Sequence, residues 1–380
     1  MSFASLGLSP SLLKALSSQN YTYPYTIQEQ AIPAILKGKD VLGIAKTGSG
    51  KTASFVLPIL MNQQGTVASK NRHVCVLVLV PTRELSAQVS EVFHLFASYL
   101  SERIKILAIY GGVSINPQMM ALQGVNILVA TPGRLLELVE SNAVKLSEIQ
   151  TLVLDEADKM LNLGFKAEMD RIFALLPKKR QNLLFSATLS DDVNNINQIL
   201  LHDPLVINTE TETDNFDLIN QLAYFVTDEK KGPLLRYLIK NNNLKQVLVF
   251  TSSVYKADNV AIKLFRNGIE ATAIHSDKSQ KARTDALKNF KSGKLQVLVT
   301  TDLLARGIDI EFLPCVINYE LPRSPKDYIH RIGRTGRAES PGEAISFVSP
   351  EERQHFKVIQ KKMGKVVTMI DSEGIDLKGY

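Results

Sequence analysis

Short aliphatic runs recur along the first half of the chain. They fall at Val41–Ile44, Val74–Val80, Ile104–Ile109, Ile127–Ala130, Thr151–Leu154 and Leu183–Phe185. Runs this short, with few polar residues inside them, predict strands buried on both faces. Between them lie longer stretches with helical periodicity, among them Thr52–Leu60, Glu84–Leu100 and Lys166–Leu176. Strands alternating with helices predict α/β architecture with parallel, doubly wound sheets. The texture then breaks at Asn208-Thr209-Glu210-Thr211-Glu212-Thr213-Asp214-Asn215, which is polar, acidic and without period, and reads as a linker. Afterwards the alternation resumes at Gln246–Phe250, Ala271–Ile274, Gln296–Thr300, Cys315–Asn318 and Ala344–Val348, with a last run at Lys365–Ile370. The expected organisation is an α/β domain over 1–207, a linker over 208–217 and a second α/β domain over 218–380.

Two polar segments sit at strand ends where chemistry is expected. Ala45-Lys46-Thr47-Gly48-Ser49-Gly50-Lys51-Thr52 follows the run Val41–Ile44 and precedes the apolar helix. It fits a phosphate-binding loop, G-x-x-x-x-G-K-[ST], with Ala45 where the general pattern has Gly. Gly48 and Gly50 permit backbone conformations that a Cβ would block. Successive N–H groups can then face phosphate oxygens, aided by the helix dipole. Lys51 supplies a charge for the outer phosphates, and the Thr52 hydroxyl is a Mg²⁺ ligand candidate. Asp155-Glu156-Ala157-Asp158 follows the run Thr151–Leu154. Its carboxylates supply the other half of a nucleoside triphosphate site, where a metal and a water are held. Strand, loop, helix and acidic partner coincide, so ATP hydrolysis is the expected chemistry.

Composition changes this picture little. The 380 residues are 45% hydrophobic and 22% charged, which suffices for two cores. No run approaches the ~18 apolar residues of a membrane-spanning helix. Met1-Ser2-Phe3-Ala4-Ser5 has neither the charged nor the apolar part of a secretory signal. Cys75 and Cys315 lie in apolar runs and read as small buried hydrophobes, not as a disulfide or a metal site. A reducing, cytoplasmic setting is expected. The net charge of +6 permits a polyanionic partner without requiring one.

The second half carries a further constellation. His330-Arg331-Ile332-Gly333-Arg334-Thr335-Gly336-Arg337 spaces three arginines at three-residue intervals among glycines. Guanidinium groups fork onto phosphate, which suits arginines delivered from one domain to a phosphate held by another. Thr301-Asp302-Leu303-Leu304-Ala305-Arg306-Gly307-Ile308-Asp309 lies upstream.

With these residues in order, the chain resembles the DEAD-box ATP-dependent RNA helicases of superfamily two over essentially its whole length. Tyr21 to Gln28 resembles the Q motif, with Tyr25 where the family is usually Thr-like. Pro81-Thr82-Arg83-Glu84-Leu85, Gly111-Gly112 and Thr131-Pro132-Gly133-Arg134 resemble the RNA-gripping motifs. Ser186-Ala187-Thr188 resembles the coupling motif. Val249-Phe250-Thr251-Ser252, then Gln280 and Arg283, resemble the RNA side of the second domain. The opening Ser2–Leu8 and the compact length most resemble the bacterial RhlE-like branch.

The resemblance implies two RecA-like domains that use ATP and Mg²⁺. It implies adenine contacts from Phe3, by stacking, and from Tyr21 and Gln28. Ala45, Lys46, Thr47, Gly48, Ser49, Gly50, Lys51 and Thr52 would bind the phosphates, and Asp309 the ribose. Thr52 and Asp155 would hold Mg²⁺, Asp155 through water. Glu156 would deprotonate the attacking water. Arg334 and Arg337 would reach the γ-phosphate from the second domain. Asp158 would pair with Ser186 or His330, with Thr188 in the same coupling network. Thr82, Arg83, Gly111, Gly112, Thr131, Arg134, Arg283, Thr300 and Thr301 would hold RNA by its backbone, since no regular row of aromatics offers base stacking. The implied partner is RNA, as single strand and short duplex, with ribosome or RNA-decay proteins beyond it, no membrane, and a monomeric state. The absence of a basic tail after the last apolar run leaves open that a C-terminal extension is missing. Two other readings stay open on residues alone. One is an ATP-gated RNA clamp with little unwinding, which uses the same motifs. The other is a P-loop small-molecule kinase, which the second α/β domain and its arginines disfavour.

Overall fold

A computed structural model of the chain describes residues 2–45, 48–65, 72–209, 219–302, 310, 313–336 and 342–380. Contacts divide the chain into two compact units, 1–213 and 214–380. The division falls inside the expected linker, most of which lies outside the described residues. Its expected start at 208 is one residue early, because Asn208 still belongs to a strand of the first unit, in register with Ile44.

The first unit is built on one parallel sheet. Its strands are β1 (Val41–Ile44), β2 (Val76–Leu79), β3 (Ile106–Ile109), β4 (Ile127–Ala130), β5 (Thr151–Leu154), β6 (Gln181–Ser186) and β7 (Leu205–Asn208). They lie in the order β3-β4-β2-β5-β6-β1-β7. The continuous aliphatic runs have their physical reason here. Val76 and Val78 of β2 join a core on one face, while Leu77 and Leu79 join a core on the other. Alternate side chains of a strand point to opposite faces, so a sheet covered on both sides needs apolar residues throughout. The helix Lys51–Asn62 is apolar all round, with Phe55, Val56 and Leu57 fully buried, and it occupies the centre of one layer.

The second unit repeats the plan. Its strands are β8 (Ile219–Phe225), β9 (Val247–Thr251), β10 (Ala271–Ile274), β11 (Val297–Thr301), β12 (Cys315–Asn318), β13 (Gly342–Val348) and β14 (Thr368–Asp371). Their order is β10-β11-β9-β12-β13-β8-β14, again all parallel. Several strand ends pass into helices through hydroxyl caps. Thr82, Ser253 and Ser324 accept from the backbone N–H of Leu85, Lys256 and Lys326 at 3.2–3.3 Å. The fold is the expected one, with two strands added. The runs at β7 and β8 were not predicted, because β7 is four residues long on an edge and β8 interrupts its apolar residues with Asn220 and Gln221.

One close approach locks the phosphate-loop strand into the core. A Cβ on Gly43 of β1 would stand 2.7 Å from the Phe185 ring and 3.2 Å from Ile27. Phe185 is fully buried against Phe55, with ring centroids 5.4 Å apart, so it has little room to withdraw. We expect Gly43→Ala to destabilise the first unit by about 1–3 kcal/mol through overpacking. A thermal melt checks this, and an unchanged melting temperature would show that the Phe185 ring repacks freely.

Candidate nucleotide and RNA site

The strand order sorts the predicted residues into two groups. The carboxyl ends of β1, β5 and β6 carry Gly48 to Thr52, Asp155, Glu156, Asp158, Ser186 and Thr188. The carboxyl ends of β2, β3 and β4 carry Thr82, Arg83, Gly111, Gly112, Thr131 and Arg134. Because β3-β4-β2 and β5-β6-β1 are contiguous halves of one sheet, the two groups lie side by side on the same edge. Crevices outside the carboxyl ends of parallel strands are where such sheets bind ligands.

The first group concentrates buried charge. Gly48 and Gly50 are left-handed, at φ 79° and 84°. Lys51 opens the following helix, is almost fully buried, and donates its ammonium to the carbonyl of Ala45. Burial lowers its pKa, opposed by the nearby Asp155 and Glu156. Asp155 is held above the usual carboxylate range, first by burial and then by repulsion from Glu156, with Lys51 and Lys159 pulling the other way. Glu156 adopts a left-handed backbone, φ 54° and ψ 47°, which costs a non-glycine residue on the order of 1–2 kcal/mol. Such strain recurs at functional sites. Its Oε1 accepts from Lys159 Nζ at 2.6 Å. Asp155 Oδ1 and Glu156 Oε2 are buried without any hydrogen-bond partner. Orphaned carboxylate oxygens beside a buried ammonium suit a hard cation and an oxygen-rich anion. The donor set therefore fits Mg²⁺ with a triphosphate.

Gln28 is fully buried and closes over the loop. Its Oε1 accepts from Tyr25 N at 3.0 Å, and its Nε2 donates to Gly50 O at 3.2 Å. A Cβ on Gly50 would stand 2.4 Å from that nitrogen, so only glycine leaves space for the amide. One donor and one acceptor of the amide stay uncommitted. Tyr21 packs edge-on against Phe96, and Phe3 edge-on against Tyr21. Phe3 is 5% exposed and belongs to the core cluster of this unit.

The coupling residues differ from expectation in one contact. Asp158 Oδ2 accepts from Thr188 Oγ1 at 3.2 Å, not from Ser186. Ser186 turns its hydroxyl to the backbone of Thr188, donating to the carbonyl at 2.8 Å and accepting from the amide at 3.3 Å. Thr188 thus joins β6 to the segment after β5. On the other half of the sheet, the Arg83 guanidinium occupies the space a Gly112 Cβ would fill, 2.1–2.2 Å from that ideal position, and Gly112 is left-handed at φ 72°. Arg134 is buried and donates to Val113 O at 2.9 Å. Thr131 starts its helix from a buried position, while Gly111 is open.

In the second unit, Thr300 and Thr301 end β11, next to β9 and β10. Thr300 is fully buried and Thr301 half-buried. Arg283 is buried and donates to Gln280. His330 lies on the helix Pro325–Ile332, and Arg334 just beyond it is buried. Lys46, Thr47, Asp309 and Arg337 lie outside the described residues.

Against this geometry the comparisons are specific. Residues 25–196 match the family described as DEAD/DEAH box helicase, and residues 229–339 match the helicase conserved C-terminal domain. The chain is 40% identical over 362 residues to the ATP-dependent RNA helicase CshA of Limosilactobacillus reuteri, across 95% of this chain and 72% of that one. The chain belongs to the DEAD-box ATP-dependent RNA helicases. A second relative, the DEAD-box ATP-dependent RNA helicase CshA of Bacillus cereus, is 38% identical over 98% of this helicase and 70% of its own length. Among solved structures, S. cerevisiae Dbp5 bound to RNA and ADP BeF3 is similar at a TM-score of 0.83 and 31% identity, over 98% of this chain and 96% of that one.

One residue of this helicase escaped the sequence reading. Arg331 shares the three-residue spacing of Arg334 and Arg337, yet it points inward. Its Nη2 meets Asp302 Oδ2 at 2.7 Å, its Nε meets Asp302 Oδ1 at 2.5 Å, and its Nη1 donates to Glu320 O at 2.7 Å and Asn318 Oδ1 at 3.1 Å. The guanidinium also lies 4.9 Å from the Phe250 ring centroid. Arg331 therefore ties the arginine-bearing helix to the ends of β9, β11 and β12. The signal in the sequence was its place inside the helix, one turn before the glycines. We expect Arg331→Leu to cost the second unit about 2–3 kcal/mol, less than for a fully buried pair because Asp302 is partly exposed. Denaturant unfolding checks this, and unchanged stability would contradict the structural role.

Proposed function

We propose that the first unit's strand-end residues act on ATP as follows. Lys51 and the amides of the loop hold the outer phosphates, with Thr52 and Asp155 as the Mg²⁺ ligands, Asp155 through water. Bound there, the cation neutralises phosphate charge. Glu156 takes the proton of the attacking water. Its left-handed backbone and its second, orphaned oxygen support this role, since that oxygen is the one not held by Lys159. Gln28 would use its uncommitted donor and acceptor on the adenine edge while its other two contacts report loop position. Tyr21 supports that pocket from within the core. Arg334 and Arg337 would complete the site from the second unit when the domains close, with Asp309 on the ribose and His330 facing the coupling residues Asp158, Ser186 and Thr188.

RNA would lie across Thr82, Arg83, Gly111, Gly112, Thr131 and Arg134, and across Arg283, Thr300 and Thr301. Closure would bend the strand so that it no longer fits a duplex, separating short duplexes locally. The observation that carries this reading is the sheet order, which puts the carboxyl ends of β2, β3 and β4 directly beside those of β5, β6 and β1. No described helix is long and apolar enough to cross a membrane. Cytoplasmic location, a monomeric state and partners in the ribosome or RNA decay belong to the proposal. The opening Ser2–Leu8 favours the RhlE-like branch within it, although the relatives above carry the CshA name.

Glu156→Gln should retain ATP and RNA binding while steady-state hydrolysis falls by on the order of 10²–10⁴-fold, because an amide accepts no proton. Near wild-type turnover would remove Glu156 from the role of base. Arg337→Ala should leave ATP binding intact and lower RNA-stimulated turnover by roughly 10³-fold. Arg337→Lys should rescue it poorly, because an ammonium lacks the planar fork. A duplex-displacement assay on the wild type separates a helicase from an ATP-gated clamp. Strand release with ATP supports the former, and RNA retention without release the latter.

A further inference from the structure

One basic stretch lies late in the second unit. Residues 353–370 contain Arg353, Lys357, Lys361, Lys362 and Lys365 and no aspartate or glutamate, a local charge of +5 that follows Glu351 and Glu352. Most of these residues form the helix Arg353–Met363. Its apolar side, Phe356, Ile359 and Met363, is buried in a core cluster with Tyr328 and Ile332 of the neighbouring helix and with Val348 of β13. The opposite side is exposed and carries Arg353, Lys357, Val358, Lys361 and Lys362. Arg353, Lys357 and Lys361 recur every fourth residue, so they form a row of cations spaced about 6 Å along the axis. Lys357, Lys361 and Lys362 make no ion pair with any described residue.

Helix stability explains only part of this. Lys361 and Lys362 sit in the last turn, where the dipole favours cations. Arg353 opens the helix with its guanidinium over the Phe225 ring, 5.5 Å from the centroid, whereas Lys357 is mid-helix with no such contact. A merely solvated face would mix both signs. The helix also lies far from the RNA residues of its own unit. Those sit at β10, β11 and β9, whereas this helix runs between β13 and β14, toward the other edge of the sheet.

We propose that the exposed face of the helix Arg353–Met363 is a second RNA-binding surface, engaging backbone phosphates of RNA outside the strand-end motifs. This rests on the reading of the chain as an RNA helicase. The chemistry favours RNA over other polyanions. A membrane-seeking helix must insert its apolar side, and here that side is already buried in the core. An acidic protein partner would be expected to find an aromatic or pocketed anchor, and the exposed large apolar residues of the stretch are Val358, Val366 and Met369, none of them aromatic. Three exposed lysines without an ion pair among the described residues, Lys357, Lys361 and Lys362, and no base-reading group beside them, suit sequence-independent phosphate contact. RNA held at both places gains from tethering, because the second contact becomes intramolecular.

The test uses the full chain and the variant Lys357→Ala/Lys361→Ala/Lys362→Ala. Affinity is measured across a salt series for two RNAs, a short single strand that spans only the strand-end motifs and a long duplex with a single-stranded overhang. For the long RNA the variant should bind roughly tenfold more weakly at low salt, with the slope of log K against log salt reduced by about 2–3. For the short RNA, affinity and RNA-saturated ATP turnover should be unchanged. Equal loss on both RNAs, with an altered circular dichroism spectrum, is read against Lys357→Gln/Lys361→Gln/Lys362→Gln, which must reproduce the selective loss if the surface is real. An unchanged slope and affinity for the long RNA would overturn the proposal. So would a variant that loses binding to anionic phosphatidylserine vesicles while keeping RNA binding. Failure of the wild type to bind the short RNA would instead overturn the assignment of the strand-end residues to RNA.

Discussion

Three charges at the ends of two strands govern the first unit. Lys51, Asp155 and Glu156 are all nearly buried, and taking ions out of water costs several kcal/mol each even in a relaxed protein. Lys51 and the two carboxylates offset one another, and Lys159 restrains one oxygen of Glu156. The compensation is incomplete, since two carboxylate oxygens have no partner and Glu156 holds a strained backbone. A cation and a triphosphate would complete it. The apolar helix Lys51–Asn62 and the Gly43–Phe185 contact are what hold the charges in this arrangement without ligand.

Everything else is arranged around that cluster by strand order. Placing β6 between β1 and β5 sets Ser186 and Thr188 between the phosphate loop and the acidic segment. The Thr188–Asp158 hydrogen bond then joins the segments after β6 and β5. Placing β2 beside β5 puts Thr82 and Arg83 next to the acidic segment, so the residues proposed to hold RNA begin one strand away. In the second unit the equivalent anchoring falls to Arg331, which gathers Asp302, Asn318 and Glu320 under the helix that bears the arginine motif. A further network fixes the start of the next helix. Glu320 accepts from Ser252 N at 2.7 Å and pairs with Lys256.

The sequence made the architecture legible wherever apolar runs were continuous, because a doubly covered parallel sheet tolerates nothing else. Ile127–Ala130, Thr151–Leu154, Ala271–Ile274 and Cys315–Asn318 are strands with the bounds the pattern predicts. Edge position hid β7, and interleaved amides hid β8. The candidate residues Lys51, Asp155 and Glu156 stand out by spacing, and the structure brings them together in one buried cluster. Contacts were less legible. The pairing of Asp158 with Thr188 depends on which hydroxyl of a three-residue segment turns outward. The inward turn of Arg331 depends on helix phase. The burial of Phe3 depends on Tyr21, which packs between it and Phe96, far along the chain. None of these is a property of residue type at a given spacing.

Nucleotide and RNA bound side by side on one sheet, as proposed, would be coupled, and such coupling is reciprocal by thermodynamic necessity. Calorimetric titration of the full chain with a non-hydrolysable ATP analogue and Mg²⁺, with and without a saturating single-stranded RNA, measures it directly. The account predicts that RNA tightens analogue binding, and that the analogue tightens RNA binding by the same factor, on the order of 5–150-fold. Equal analogue affinity with and without RNA would mean that the two halves are neighbours without being coupled, and the central claim would fail.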